Sequence, residues 1–134
     1  MLDAYNKVMK FWSVGHPERV RRTPGFPDAV TRKLNLQLLE EEVKELSDAS
    51  QANDIVEFAD AIADILYVVI GFAVTHGIPI VEIFHEVHKT NMAKFVDGKP
   101  ILRESDGTIM QPPGWTPPTA RSQRSPPGVS PERR

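Results

Sequence analysis

Two groups of carboxylates are the residues best equipped to do chemistry in this chain. Glu41, Glu42 and Glu45 fall in Leu39-Glu40-Glu41-Glu42-Val43-Lys44-Glu45-Leu46, and Glu57, Asp60 and Asp64 follow within twenty residues. On helices, the first three span about 100° of arc and the second three about 60°, so each set forms a compact stripe. Nine of the 18 acids lie between Glu40 and Asp64, against one base, Lys44. The first stripe alone reads as a solvated helix face. The second does not, because Asp60 and Asp64 stand in Phe58-Ala59-Asp60-Ala61-Ile62-Ala63-Asp64-Ile65-Leu66-Tyr67, with no Lys or Arg three or four residues away. A buried, unpaired carboxylate is costly unless it is protonated, meets a distant base or binds a cation. Two acidic stripes on consecutive antiparallel helices favour the cation. With no cysteine and no organised histidine set, the donors suit hard ions, Mg²⁺ first and Mn²⁺ second. A di-iron centre needs a Glu-x-x-His unit from each of two helices, and Glu82-Ile83-Phe84-His85 supplies one. His85 and His88 therefore read as packing or interface residues.

The elements that must position these acids are helical. Leu2, Tyr5, Val8, Met9 and Trp12 recur at helical spacing over residues 2–14. After a loop rich in Arg, Pro and Gly, Asp28 is the expected cap of a second helix reaching Asp48 and carrying Leu34, Leu38, Leu39 and Leu46. Asn53 or Asp54 opens a third, Ile55 to His76, ended by Gly77 and Pro79. Its apolar residues surround the whole circumference, the mark of a buried helix. A fourth starts near Pro79 and frays past Lys94. Asp97-Gly98 and Asp106-Gly107 signal turns in a short irregular ribbon. Seven prolines follow from Pro112, and residues 119–134 hold only Ala120 and Val129 as apolar residues, which predicts a disordered Pro-rich tail. The expected architecture is all-α and four-helix bundle-like: a helical catalytic domain over 1–95, an irregular C-terminal arm over 96–118 and a tail over 119–134.

Composition narrows the class further. At 134 residues, 40% hydrophobic and 25% charged, the chain has the profile of one globular domain. A net charge of -2 argues against a nucleic-acid binder. No uncharged apolar run approaches the roughly 18 residues that span a membrane, and no secretory signal is visible, so a cytoplasmic protein is expected. A third helix apolar on every face exceeds what one thin bundle covers, which predicts a homodimer or homotetramer.

Glu42-x-x-Glu45, followed by Glu57-x-x-Asp60, resembles the Glu-x-x-Glu…Glu-x-x-Asp signature of the all-α nucleoside triphosphate pyrophosphohydrolases. This superfamily includes MazG, dimeric dUTPases and phosphoribosyl-ATP pyrophosphohydrolase. Asp60 to Val68, Val87-His88-Lys89-Thr90-Asn91-Met92-Ala93-Lys94 and Pro112-Pro113-Gly114-Trp115-Thr116-Pro117-Pro118 are similar to its MazG-like branch. The resemblance covers about residues 28 to 118. It implies cleavage between the α and β phosphates of a nucleotide, releasing pyrophosphate, with metal held by Glu42, Glu45 and Asp60 together with Glu57 or Asp64. Glu41, rotated by about 100° from Glu42, is then placed to orient or deprotonate the attacking water. Asn91 and Lys94, three apart on the fourth helix, are the expected contacts to phosphate or base, with Lys99 and Arg103 weaker. The opposing expectation is a non-enzymatic helical interaction module. In that case Asp60 and Asp64 are exposed or paired with Arg, and Mg²⁺ leaves stability unchanged.

Overall fold

Asp28 and Asp54 set the starts of the two helices that carry the carboxylates. In the computed structural model, which describes residues 1–117, Asp28 accepts the Thr31 backbone N–H at 2.8 Å and opens α2 (Ala29–Gln51). Asp54 accepts the Glu57 N–H at 3.1 Å and opens α3 (Ile55–His76). Each carboxylate satisfies an N–H that the first turn of a helix otherwise leaves free. α1 (Leu2–Gly15) precedes this pair and α4 (Ile80–Met92) follows it. The fold is all-α. Among the described residues no strand forms, and the arm contains two isolated antiparallel bridges, Val96 with Lys99 and Leu102 with Ile109. The expected tail, 119–134, lies outside the described residues.

Two compact units divide the chain, Met1–Ile80 and a second that begins at Val81. The division falls inside the stretch 1–95 expected to act as one domain. The first unit holds α1 to α3 and all of both acidic stripes. In the second, the Trp115 indole N–H donates to the Thr90 carbonyl at 2.6 Å, and the Lys94 ammonium sits 5.1 Å from the centre of the Trp115 ring. The arm is thereby tied to α4 through a hydrogen bond and a cation–π contact.

The core of the first unit lies between α1 and α3. Val8, Ile70 and Val74 form its centre, with Tyr5, Met9, Trp12 and Val20 packed around them. These are the α1 positions that the helical spacing selects. Trp12 lies against Gly71, where an added Cβ would come within 3.0 Å of the indole nitrogen. The loop after α1 then clips onto the end of α3: the Arg21 N–H donates to the Val74 carbonyl at 3.1 Å, and the Gly25 N–H to the His76 carbonyl at 3.0 Å. These bonds satisfy carbonyls that the last turn cannot.

Burial of α3 is one-sided. Its buried residues are Ala61 and a cluster from Ile70 to Thr75, while Ile55 and Val56 are each 74% exposed and Ile62, Leu66 and Val69 also face outward. The all-round burial expected of this helix is therefore not met within the first unit, because α1 and α2 leave one face of it uncovered. By length and composition α3 also suffices to cross a membrane, with a mean hydropathy of 1.8 over an 18-residue window. Every 18-residue window of α3 includes Asp60 and Asp64, so the helix contains no uncharged run of that length, as expected. Here the helix packs against α1 and α2.

Gly77 closes α3 with a φ of 64°, and a Cβ there would collide with the Thr23 backbone. Replacing it with alanine combines left-handed strain with displacement of the loop. The expected loss is about 2 kcal/mol or more, to be read as a lower urea midpoint for Gly77→Ala.

Candidate metal centre

α2 and α3 run antiparallel and pack along much of their length, in a register that sets Glu42 beside Asp64. Ligand oxygens of Glu42, Glu45 and Asp64 all lie within 4.8 Å of one another. Glu42 and Asp64 are half-buried, and Glu45 is exposed at the rim. The Glu42 Oε2 atom is buried without a hydrogen-bond partner. Lys44, the one base in this acidic window, is engaged by Asp48 at 2.7 Å. Among the described residues none of the three carboxylates has an ion-pair partner.

The other sequence-predicted ligands are placed differently. Asp60 is exposed, because Ala61, 3% exposed, takes the inward position at that level of α3. Glu57, also exposed, sits in the first turn of α3, about 10 Å along the axis from Asp64. Neither joins the converging set. The exposure of Asp60 is what an interaction module requires, whereas the half-buried and unpaired Asp64 is what a cation site requires. Glu41 is exposed beside Glu42. Asn91 and Lys94 belong to the second unit. Glu82, His85 and His88 are exposed on α4 and enter no metal-ligating group among the described residues.

Electrostatics reinforces the geometry. The Glu42 carboxyl is held above its ordinary range, first by desolvation, then by the charges of Glu45 and Asp64 and a shared hydrogen bond with Glu45, and last by Glu41. Three acidic oxygens this close repel unless a proton or a cation joins them. An all-oxygen donor set with one unpartnered oxygen fits a small hard divalent ion; these residues suit Mg²⁺ or Mn²⁺ rather than a thiophilic metal.

Seven residues before Glu42, on the same face of α2, stands Asn35, whose Nδ2 is likewise buried and unpartnered. It lines a cavity of about 190 Å³ with Phe11, Trp12, Leu38, Tyr67 and Phe72. The sequence gives this residue no catalytic signature. Its signal is that, of the two amides in Leu34-Asn35-Leu36-Gln37-Leu38-Leu39, it is the one in phase with Glu42.

A carboxyl whose pKa is raised by folding binds its proton more tightly in the folded state. Its penalty on stability is therefore absent in acid and appears as pH rises through the raised value. In metal-free buffer, Glu42→Gln is expected to melt at or above wild type at neutral pH. That advantage should shrink as pH falls through the carboxylate range. Melting temperatures of both proteins in EDTA across pH 4 to 8 (about one window around the acid titration) check this.

The sequence profile of phosphoribosyl-ATP pyrophosphohydrolase matches residues 15–91, spanning α2, α3 and most of α4. An uncharacterized protein of Acanthamoeba polyphaga mimivirus is 52% identical over 48 residues, which cover 36% of this chain and 19% of that protein. The chain thus spans less than a fifth of that relative's length. The profile match takes in more than half of the 134 residues and contains the whole converging acidic set. The chain belongs to the phosphoribosyl-ATP pyrophosphohydrolase family.

Proposed function

We propose that this protein is a Mg²⁺-dependent nucleoside triphosphate pyrophosphohydrolase. It cleaves the α–β phosphate bond of a ribo- or deoxyribonucleotide to give the monophosphate and pyrophosphate, and it acts on the cytoplasmic nucleotide pool. The observation that carries the reading is the approach of Glu42, Glu45 and Asp64 to within 4.8 Å without a cationic partner. Family membership supports the reaction class.

Glu42, Glu45 and Asp64 would hold the ion, with the unpartnered Oε2 of Glu42 among the available donors. Glu57 and Asp60, exposed and outside that set, continue the acidic stripe along α3 and would serve only a second cation. An ion held there would supply neutralisation of polyphosphate charge and a lowered pKa for the attacking water. Glu41, exposed and rotated from Glu42 by about 100°, accepts that water's proton. The amide of Asn91 and the ammonium of Lys94 are assigned to phosphate or base on chemical grounds.

A second copy of the chain is the partner this reading requires for α3. Ile62, Leu66 and Val69 recur at i, i+4 and i+7 and stay 43%, 54% and 42% exposed, forming one apolar stripe. A homodimer or homotetramer removes such a stripe from water.

Mg²⁺ at a hundred times its dissociation constant should stabilise the protein by about 2.7 kcal/mol, roughly a 10 °C rise in melting temperature. Glu42→Gln and Asp64→Asn lose both this rise and pyrophosphate release. Glu41→Gln keeps the rise and loses about 100-fold in kcat. Unchanged turnover in Glu41→Gln removes the base assignment, and a melting temperature indifferent to Mg²⁺ favours the interaction module. Light scattering should give a multiple of the 15.0 kDa chain mass, reduced to a smaller species by Leu66→Glu.

A further inference from the structure

Glu42 Oε2 and Asn35 Nδ2 are the buried side-chain atoms without a partner among the described residues. They lie seven residues apart on α2, which puts them on one face and about 10 Å apart along the axis. One is an acceptor in the acidic cluster; the other is a donor on a residue that lines an aromatic cavity. Buried polar groups are normally satisfied, so two orphans of opposite sense, in line, describe the two ends of a ligand.

The cavity at Asn35 reaches Leu38 on α2 and Val68 on α3, one turn from Glu42 and from Asp64 respectively. Phe11 and Tyr67 meet edge to face at 5.6 Å in its wall, and Trp12 closes it against Gly71. Aromatic and aliphatic walls with one polar handle suit a flat heterocycle. At about 190 Å³ the cavity is smaller than the usual site for a whole drug-sized ligand, about 300 Å³ and upward. It accommodates one small ring system rather than a complete nucleotide.

We infer that Asn35 is the base-reading residue of this protein. Its Nδ2 donates to a ring carbonyl of a pyrimidine seated in the Phe11–Trp12–Tyr67–Phe72 cavity, while the polyphosphate extends along α2 toward Glu42. The carbonyl at C2 is common to uracil and cytosine, so the class is pyrimidine nucleotides. The inference rests on the pyrophosphohydrolase reading for the phosphate end, but the base end is separately measurable.

The probe is Trp12 fluorescence in a Trp115→Phe background, titrated with UMP, CMP, AMP and GMP in EDTA. UMP and CMP should perturb Trp12 and bind at least tenfold more tightly than the purine monophosphates. Asn35→Leu, and the isosteric Asn35→Asp, which exchanges the donor for an acceptor, should each weaken UMP binding about tenfold. Both should keep the Mg²⁺-induced rise in melting temperature. In steady-state assays with UTP and dUTP the loss should appear in KM rather than kcat. Equal binding of purines and pyrimidines, or undiminished UMP affinity in both Asn35 variants, overturns the inference and leaves the hydrolase reading intact. Pyrimidine binding that depends on Asn35, with no pyrophosphate released from any triphosphate, upholds the base site and removes the hydrolase.

Discussion

Mutual repulsion among Glu42, Glu45 and Asp64 is the constraint around which the first unit is arranged. Three carboxylate oxygens within 4.8 Å, without a base to neutralise them, are held together only because α2 and α3 are packed for other reasons. The elevated proton affinity of Glu42 records that tension. Proton and divalent cation are alternative answers to the same electrostatic problem. The site is therefore built at the expense of the apo protein's own stability, as functional sites commonly are.

The helix pair can hold this arrangement because its ends are fixed independently of the acids. Asp28 and Asp54 cap the two helices, and the Arg21–Gly25 strap closes the far end of α3 through its carbonyls. α1 braces the C-terminal half of α3 through Val8, Ile70 and Val74. This keeps the apolar packing at one end of the pair and leaves the acidic end lightly covered.

Much of this was legible from residue types. The caps at Asp28 and Asp54, the stop at Gly77 and the apolar face of α1 follow from local chemistry, which acts within a turn of the chain. The convergence of Glu42, Glu45 and Asp64 follows from stripes on adjacent helices. The omission of Asp60 and Glu57 did not, because periodicity gives a stripe's width but not which edge faces its neighbour. A packed Ala61 decides that, and small residues carry little signal of their own. Asn35 was hidden for a related reason. One amide among several in a leucine-rich helix looks unremarkable until the structure shows that nothing bonds to its nitrogen.

The hydropathy of α3 is offset by its own charges. By length and composition alone the helix passes for a membrane span, as core helices of soluble proteins also do. Asp64 lies near its midpoint and Asp60 one turn earlier, and an aspartate at the centre of an inserting helix costs about 3 kcal/mol. The charge at Asp64, half-buried beside Glu42 in the folded chain, thus also makes α3 a poor membrane span despite its apolarity.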